Sequence, residues 1–358
     1  MIETPALLLH LDVVEANLAR MAGRARALGV SLRPHLKTHK CVELARRQVA
    51  HGGRGVTVST LDEARVFADA GFEDILWAFP IDPGHIPHAR RIAERTRLGV
   101  VVDDLDTARA LHGTGLVGWL KVDCGYHRAG VDPASEYALD VAGTLAAGAF
   151  GGIVSHSGHA YKTRNRREAA AVAEEERSVM VAFAGRLRGA GIAVPAVSVG
   201  STPAMMALER ADGVTEIRPG NYVFFDRTMV ELGVCAPGDV GVTVLATVVS
   251  HQPGAARFIV DAGALALSKD AGPAHLGLAP AMGAVRGHPE VTLASLSQEH
   301  GVVEAPSPDV IEGKFRVGET VEIVPNHSCL TVAQFDRYHV MRDGHELESW
   351  KIERGRMT

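Results

Sequence analysis

Short apolar runs alternate regularly with longer amphipathic stretches up to about residue 230 of this chain. The apolar runs are rich in β-branched residues, as buried strands are, whereas the amphipathic stretches are rich in Ala, Arg and Glu, as surface helices are. The unit recurs roughly every 20 to 25 residues, which is typical of a parallel sheet built from βα units. The strand-like runs are Leu7–Leu9, Val56–Val58, Ile75–Trp77, Val100–Val102, Leu120–Val122, Ile153–Val154, Ala196–Val199 and Glu216–Ile217.

Amphipathic stretches between these runs predict helices. About eight βα units favour an α/β fold with a closed (β/α)8 TIM-like barrel over an open doubly wound sheet. No Gly-x-Gly-x-x-Gly follows the first run, which disfavours dinucleotide binding. The helix candidates include Val13–Ala27, Val42–Ala50, Leu61–Ala70, Asp104–Leu111 and Arg167–Ala190.

The pattern changes after Pro237-Gly238, where strand-like segments follow one another with Gly and Pro turns and no long amphipathic helix. We therefore predict a barrel domain over residues 10–235. A mostly β C-terminal domain is predicted over residues 236–358, joined by residues 1–9. Its strand-like segments include Val240–Val249, Arg257–Asp261, Val302–Val303, Thr320–Val324 and Tyr338–Met341.

Composition narrows the class of protein. The chain has 358 residues, of which 46% are apolar, and its net charge is -5 with both signs mixed along the sequence. This balance argues against nucleic acid or an anionic membrane as a partner. The four cysteines are far apart, no apolar stretch approaches the ~20 residues of a membrane span, and no signal segment is visible. We expect a cytoplasmic enzyme.

The segment Arg33–Lys40 carries two lysines, two histidines and an arginine in eight residues. Such a concentration of cations is costly beside buried strands unless it binds an anion. Nearby cations also favour the neutral, nucleophilic form of an amine. Lys37 is therefore the candidate nucleophile.

Two small turns follow the last predicted barrel strands, Gly200-Ser201-Thr202 and Gly220-Asn221. Backbone N–H groups and hydroxyls in such turns bind phosphate, and phosphate sites of these barrels often use the loops after strands seven and eight. An aldehyde cofactor with a phosphate group would use Lys37 and these turns together. Pyridoxal 5'-phosphate is that cofactor.

Two further residues have alternative interpretations at this stage. Arg128 could lie near the pyridine nitrogen of such a cofactor, or could form a structural ion pair with Asp123. His156 could lie flat against the cofactor ring, or could serve only as a hydrogen-bonded structural histidine. The acidic run Glu174–Arg177 is interpreted as a solvated helix face.

His327-Ser328-Cys329 offers two ligands of the kind that zinc prefers. Taken alone, a cysteine beside a histidine is also compatible with simple packing, because free Cys often behaves as a small buried hydrophobe.

Seven segments occur in an order that identifies a resemblance. The chain resembles the D-serine dehydratase and D-threonine aldolase family of fold-type III pyridoxal-phosphate enzymes, which are related to alanine racemase. The segments are Arg-Pro-His-x-Lys-Thr-His-Lys at 33–40, Asp-x-Gly-x-x-Arg-x-Gly at 123–130, Gly-Ser-Thr-Pro at 200–203, Arg-Pro-Gly-x-Tyr at 218–222, Asp-Ala-Gly at 261–263, Glu-His-Gly at 299–301 and His-x-Cys at 327–329.

The resemblance implies a barrel plus a β domain and a homodimer. It also implies that Lys37 is the Schiff-base lysine, that Arg128 lies near the pyridine ring and that His156 lies against the cofactor. His327 and Cys329 would hold the metal. The phosphate-binding turns would include Gly200, Ser201, Thr202, Gly220 and Tyr222, with Asn221 between the last two.

Within this family the metal pair distinguishes two activities. Dehydratase-like members carry His-x-Cys, which suits Zn2+, whereas aldolase-like members tend to carry His-x-Asp, which suits Mn2+ or Mg2+. His327 and Cys329 therefore favour elimination from a β-hydroxy-D-amino acid to a 2-oxo acid and ammonia. Retro-aldol cleavage to glycine and an aldehyde is the alternative, with His159 as the candidate residue acting on the β-hydroxyl.

Three other classes are less well supported. A metal-dependent hydrolase barrel usually needs three or more clustered His or Asp ligands. A non-catalytic pyridoxal-phosphate carrier would not need the C-terminal domain or the metal pair. A racemase would need a second base opposite Lys37.

Overall fold

A computed structural model describes residues 2–354 of the chain. Residues 1 and 355–358 of the predicted domains lie outside the described residues. The described chain divides into two compact units, one formed by the residues before Leu18 together with Asn221–Ile352, and the other by Leu18–Gly220 with the residues that follow Ile352.

Residues 2–354 contain seventeen strands and twelve α-helices. The strands are β1 (Ala6–His10), β2 (Ser31–Leu32), β3 (Val56–Val58), β4 (Asp74–Pro80), β5 (Arg97–Val102), β6 (Val117–Lys121), β7 (Phe150–Val154), β8 (Val197–Val199), β9 (Glu216–Ile217), β10 (Val242–His251), β11 (Arg257–Val260), β12 (Gly283–Val285), β13 (Thr292–Leu296), β14 (Gly301–Glu304), β15 (Thr320–Pro325), β16 (Arg337–Arg342) and β17 (His345–Lys351). The helices are α1 (Leu11–Ala27), α2 (Val42–Ala50), α3 (Leu61–Asp69), α4 (Ile86–Ala93), α5 (Leu105–Ala110), α6 (Glu136–Ala146), α7 (Arg166–Gly189), α8 (Thr202–Ala207), α9 (Arg227–Glu231), α10 (Ala264–Leu267), α11 (Pro308–Ile311) and α12 (Ser328–Val332).

The second unit contains an eight-stranded parallel sheet in the order β2-β9-β8-β7-β6-β5-β4-β3. Parallel bridges from Leu32 to Gly53 and from His35 to Thr57 join the two ends of that order. Helices α2 to α8 connect the strands, as the parallel connection requires. The parallel βα architecture that the sequence predicts is therefore present.

Local sequence explains where the connecting helices begin. Thr60 precedes α3 and its hydroxyl accepts the backbone N–H of Glu63 at 3.1 Å. Asp104 accepts the N–H of Thr107 in the same way before α5. Each side chain satisfies a helix N–H that has no partner within the helix, so each helix starts at a defined residue.

Trp119 on β6 lies at the centre of the parallel sheet and is 3% exposed. Two glycines on neighbouring strands make room for its indole, because a Cβ on Gly99 would lie 2.7 Å from Trp119 Nε1 and one on Gly151 would lie 2.4 Å from it. Leu76, Val101 and Val154 pack in the same cluster. Burial of large side chains of this kind contributes about 1.5–3 kcal/mol each.

Seven of the eight predicted apolar runs form strands of the parallel sheet. The run Leu7–Leu9 forms β1, which pairs antiparallel with β10 and parallel with β16 in the other unit's sheet; residues 1–9 were assigned to that β-rich domain. The eighth parallel strand is β2, which is two residues long, pairs with β9 and was not among the predicted runs.

The first unit contains a nine-stranded sheet in the order β11-β14-β13-β12-β15-β10-β1-β16-β17, with a further pairing of β11 and β10. That pairing closes six of the strands into a ring. Most of its strand pairs are antiparallel, which agrees with the predicted β-rich domain, although β12, β13 and β17 were not foreseen. Within residues 2–354, no helix has both the length and the apolar character needed to span a membrane.

Arg33 links three parallel strands through a buried ion pair with Glu216 and a partly exposed one with Asp74. It follows β2, and its Nε lies 3.0 Å from Glu216 Oε2 at the start of β9, while its Nη2 lies 2.7 Å from Asp74 Oδ2 at the start of β4. The Arg33 and Glu216 side chains are 6% and 8% exposed. Removing one partner of a buried pair leaves the other charge uncompensated.

We therefore predict that Arg33→Ala lowers the free energy of unfolding by about 3–5 kcal/mol. The measurement is urea unfolding of the variant against the parent chain. Arg65→Ala is the matched control, because Arg65 pairs with Asp69 at the surface and its loss should cost less than about 1 kcal/mol. Equal effects of the two substitutions would contradict this prediction.

Candidate active site

A cavity of about 390 Å3 opens among the carboxyl ends of the parallel strands. Lys121 ends β6, Gly200 directly follows β8 and Arg218 directly follows β9. Active sites of barrels of this kind lie at this end of the strands. The charged and imidazole side chains that line the cavity are His35, Lys37, Lys121, Arg128, His156 and Arg218.

Lys37 lies in a single 3-10 turn, Leu36–Thr38, between β2 and α2. His35 precedes the turn, and its Nδ1 accepts the backbone N–H of Lys37 at 3.4 Å. Burial, followed by the charge of Lys37, lowers the pKa of His35 well below its usual value. The His35 ring is therefore neutral at pH 7.

The other members of the cationic run have structural partners. His39 is fully buried, accepts the N–H of Cys41 at 3.1 Å and lies 3.0 Å from Gln48 Oε1 through its Nε2. Burial lowers the pKa of His39 to about 4. Lys40 Nζ lies 2.9 Å from the buried Glu63 carboxylate. The run thus separates into His35 and Lys37 at the cavity, and Arg33, His39 and Lys40 away from it.

His156 follows β7, and its Nδ1 lies 2.9 Å from the carbonyl oxygen of Gly200. A carbonyl oxygen only accepts, so Nδ1 carries the hydrogen and Nε2 bears the lone pair. Burial, followed by the charges of Lys37 and Lys121, lowers the pKa of His156 well below its usual value. The ring is therefore neutral and fixed in one orientation.

Asp123 pairs with His127 in the structure, whereas the ion pair considered from the sequence was with Arg128. Asp123 binds the side chain of His127 at 2.8 Å and accepts the N–H groups of Gly125 and His127. The Arg128 guanidinium lies 5.0 Å from the ring centre of Tyr126. A cation over an aromatic face is attracted by the ring quadrupole, so Tyr126 holds Arg128 at the cavity.

His159 lies beyond Tyr126. The two ring centres are 5.9 Å apart, and Tyr126 also lies 6.0 Å from His156. The Nδ1 atom of His159 is buried and has no hydrogen-bond partner among the described residues. The residues that line the cavity do not include His159.

The two predicted phosphate turns are tightly packed at their glycines. Gly200 has φ +129°, and a Cβ there would lie 2.8 Å from Met205 Cγ. A Cβ on Gly220 would lie 3.0 Å from both Cβ and O of His35. Ser201 and Thr202 are buried, and Thr202 begins α8. A side chain at Gly200 would be strained by both its backbone conformation and the contact with Met205, and one at Gly220 would require His35 to shift.

Asn221 and Tyr222 belong to the first unit. The Nδ2 group of Asn221 donates to Asp226 at 2.7 Å and to Ser328 at 2.9 Å, so that side chain already serves two partners. Tyr222 is 1% exposed. Their predicted contribution to cofactor binding stays a prediction.

Sequence reasoning missed Lys121 as a cavity residue, and it included Arg218 only as the first residue of the segment Arg-Pro-Gly-x-Tyr. Burial, followed by the charge of Arg218, lowers the pKa of Lys121 to about 8. Arg218 is 5% exposed and donates to Ser198 Oγ and to the carbonyl of Ser155. The sequence did contain a signal for Lys121, because a lysine at the carboxyl end of the apolar strand Val117–Lys121 lies where barrel active sites form.

The prediction of a solvated face at Glu174–Arg177 is wrong for two of its members. Glu176 is fully buried and Arg177 is 7% exposed. Glu176 follows Ala169 and Ala173 and precedes Met180 and Leu187 on the buried stripe of α7. The spacing of three and four residues places a side chain on the stripe whatever its polarity.

His327 immediately precedes α12, and Cys329 is the second residue of that helix. Burial disfavours the charged ring, but the charge and hydrogen bond of Cys329, followed by Asp226 and Asp270, raise the pKa of His327 to about 10. Asp226 is fully buried and its Oδ2 lies 3.5 Å from His327 Nδ1. A soft thiol, an imidazole and a supporting carboxylate form the donor set that zinc prefers.

The described residues contain no group of three or more His, Cys, Asp or Glu side chains arranged to hold a metal ion. His327 and Cys329 could supply two ligands, which would leave the remaining positions of a metal to water or substrate. A site of that kind is open, as catalysis requires.

Comparison with known families agrees with this arrangement. Residues 9–228 match the alanine racemase N-terminal domain, and residues 241–341 match the serine dehydratase domain. The two matches together span both units of the chain.

Several characterised proteins are similar over nearly their whole length. D-threo-3-hydroxyaspartate dehydratase of Delftia sp. (strain HT23) is 39% identical, with 98% of this chain and 97% of that one covered. D-serine dehydratase of Dictyostelium discoideum is 36% identical, with 97% and 95% covered. D-threonine aldolase of Arthrobacter sp is 32% identical, with 98% and 92% covered.

The crystallised Delftia enzyme superposes with a TM-score of 0.94 over 98% of this chain and 97% of that one. It has also been solved as a cysteine-to-alanine variant in the metal-free form and as a histidine-to-alanine variant, and the two substituted residues stand two positions apart. The fold is thus that of alanine-racemase-like enzymes. Within that class, the chain belongs to the serine dehydratase family with an alanine racemase N-terminal domain.

The lowered pKa of Lys121 makes stability depend on pH. The amine titrates at about 8 in the folded chain and near 10.4 when unfolded, so the unfolded chain binds more protons between those values and stability rises with pH across that window. We predict that Lys121→Met stabilises the protein by about 1–3 kcal/mol at pH 7, and by much less at pH 10.

Urea unfolding at the two pH values measures this difference. Lys162→Met is the control, since Lys162 is exposed and its replacement should change stability by less than about 0.5 kcal/mol at either pH. A stabilisation by Lys121→Met that is the same at pH 7 and pH 10 would contradict the argument.

Proposed function

We propose that this protein is a lyase that uses pyridoxal 5'-phosphate and zinc to eliminate water from β-hydroxy-D-amino acids, as D-serine dehydratases do. The enamine that is released then takes up one water and hydrolyses to a 2-oxo acid and ammonia. The proposal depends mainly on one observation: Lys37 and several other cationic side chains line the same cavity at the carboxyl ends of the parallel strands. The similarity to two dehydratases at 39% and 36% identity favours elimination over aldol cleavage.

The cavity fits an anionic aldehyde cofactor. Lys37, Lys121, Arg128 and Arg218 bring positive charge to it, which suits a phosphate. The turns at Gly200 and Gly220 are closely packed, and Ser201 and Thr202 offer hydroxyls beside the first of them. When bound, pyridoxal 5'-phosphate would supply an electron sink for the negative charge that develops at Cα of the substrate.

Lys37 would have two tasks at one atom. Its Nζ would hold the cofactor covalently and, once displaced by the substrate amine, would take up the proton from Cα. The backbone N–H of Lys37 donates to His35 Nδ1, which helps to fix the turn from which the side chain extends. His156, with Nδ1 committed to Gly200, would present a neutral ring of fixed orientation to the cofactor.

His327 and Cys329 would hold the metal, and the thiolate favours Zn2+ over Mn2+ or Mg2+ because it is a soft ligand. The buried Asp226 would orient His327 from the side of Nδ1. The ion would supply a Lewis acid that makes hydroxide a better leaving group. By analogy with its family, we expect the protein to act as a homodimer.

The products distinguish elimination from cleavage. We expect the zinc-loaded protein to release keto acid from D-serine or 3-hydroxy-D-aspartate, and little glycine from D-threonine, when both products are measured in the same samples. Because the metal assists only departure of the hydroxyl group, EDTA or Cys329→Ala should suppress keto acid formation by at least about 100-fold.

Metal content provides an independent readout for the same variant. Cys329→Ala should lower the zinc bound per chain after dialysis, whereas Cys235→Ala, which changes a cysteine of similar exposure elsewhere, should not. If glycine and an aldehyde were the main products, the protein would be an aldolase and the proposed dehydratase activity would be wrong. Full zinc retention by Cys329→Ala would remove that residue from the metal site.

The identity of the cofactor lysine is tested by chemical trapping. We predict that borohydride reduction of the cofactor-loaded protein attaches the pyridoxyl group to Lys37, and that Lys37→Ala abolishes both the attachment and the activity. Lys121→Met is the sharpest comparison, since Lys121 lines the same cavity and should leave the attachment at Lys37 intact. A pyridoxyl group found on Lys121 of the parent protein would reverse the assignment.

A further inference from the structure

Glu176 is a buried carboxylate that no step proposed above uses. It lies on α7, is 0% exposed, and receives hydrogen bonds on both of its oxygens. Oε1 accepts from Ser155 Oγ at 2.7 Å and from the backbone N–H of Gly200 at 3.1 Å, and Oε2 accepts from Ser157 Oγ at 2.7 Å. The thiol of Cys124 lies 3.9 Å from Oε1.

These partners come from three separate loops. Cys124 follows β6, Ser155 and Ser157 follow β7, and Gly200 follows β8. The β7–β8 ladder extends to Ser155, whose backbone N–H donates to the carbonyl of Ser198 at 3.1 Å, whereas Cys124, Ser157 and Gly200 lie past the ends of their strands. One carboxylate therefore ties together three of the loops that surround the cavity.

Both backbone polar groups of Gly200, its N–H and its carbonyl, are hydrogen-bonded. Its N–H donates to Glu176, and its carbonyl accepts from His156 Nδ1 at 2.9 Å. Ser157 continues the chain of contacts to the next residue of the turn, with its hydroxyl 3.3 Å from that of Ser201. The conformation of the turn Gly200–Thr202 thus depends on Glu176 through two routes.

Placing a carboxylate in the protein interior has a large desolvation cost. Burying it costs several kcal/mol unless hydrogen bonds and opposite charges compensate. Both kinds of compensation are present, since the charge of Glu176 acts favourably on Lys121 and on the buried Arg218. An apolar residue on the same stripe of α7 would pack against the sheet without that cost, but could not bind the loops.

We propose that Glu176 is a positioning residue of the cofactor cavity, whose carboxylate holds the turn Gly200–Thr202 in the conformation that receives the phosphate of the cofactor. This inference rests on the proposed function. Glu176 itself does not contact the phosphate or the reacting atoms in this account. It acts through Gly200 and through Ser157.

The test compares two cofactor forms that differ only in the phosphate. Pyridoxal 5'-phosphate and pyridoxal carry the same aldehyde and ring, so the ratio of their dissociation constants isolates the contribution of the phosphate turn. The full-length protein is titrated with each, and binding is followed by the visible absorbance of the cofactor joined to lysine. The apo-protein's melting temperature is recorded in parallel.

Two substitutions test separately the length and the charge of the Glu176 side chain. Glu176→Asp keeps the charge but shortens the side chain by one methylene, so it cannot span all three loops. Glu176→Gln keeps the length but has a single acceptor oxygen for donors that now use two. We expect each to raise the dissociation constant of pyridoxal 5'-phosphate by about 10-fold or more, with a change of less than about 2-fold for pyridoxal.

Glu175→Gln is the matched control, because Glu175 is the exposed neighbour on the same helix and should leave both constants unchanged. The proposal would be overturned if the Glu176 variants bound both cofactor forms more weakly by the same factor, or bound neither more weakly. A purely structural role of Glu176 would change the melting temperature without a larger effect on pyridoxal 5'-phosphate than on pyridoxal. If the parent protein bound neither form, the proposed function would fail instead.

If both Glu176 variants fail to fold, Ser157→Ala tests the same proposal. It removes one hydroxyl that joins Glu176 to Ser201 and leaves the carboxylate in place. We expect a rise of about 3-fold or more in the dissociation constant of pyridoxal 5'-phosphate and none for pyridoxal. Unchanged binding of pyridoxal 5'-phosphate would overturn the proposal.

Discussion

The cost of gathering positive charge around one cavity governs much of the barrel unit. Lys121 and Arg218 come from different strand ends and face the same space as Lys37. Their desolvation and mutual repulsion would destabilise the fold if nothing opposed them, and the lowered pKa of Lys121 records that cost. Glu176 and Glu216 oppose part of it from within the chain. An anionic cofactor would complete the compensation, so binding and folding stability are coupled through the same charges.

The other unit deals with buried charge in a similar way. Asp226 is fully buried and accepts from Asn221, Ser328 and Met229, so the backbone around His327 is fixed before any metal is bound. Preorganisation of this kind lowers the ordering cost of binding a ligand. In both units the side chains proposed to react are partly exposed, whereas Glu176 and Asp226, which are proposed to position them, are buried and accept several hydrogen bonds.

Much of the architecture could be read from the sequence, because strands buried in a parallel sheet need continuous apolar runs and the helices need an apolar stripe. The segments Val56–Val58 and Val42–Ala50 appear as predicted. The strand β2 was not among the predicted runs. The run that forms β1 is apolar like a strand of the parallel sheet, but it pairs with β10 and β16 in the β-rich unit, to which residues 1–9 were assigned. The segments named from the sequence contain His35, Lys37, Arg128 and Arg218, which line the cavity, yet Lys121 was not singled out and Glu176 was assigned to a solvated helix face.

The sequence by itself determined the alternation of strands and helices, the lysine-bearing turn and the His-x-Cys pair, since each is a local pattern with local physical causes. Only the tertiary structure decided which charges meet. It separated Arg33, His39 and Lys40 from Lys37 although they are neighbours in the chain, and it brought Glu176 to Gly200 across 24 positions. The reason is that a charge becomes functional or structural through the burial and partners that the fold gives it, and those depend on closure of the sheet rather than on sequence distance.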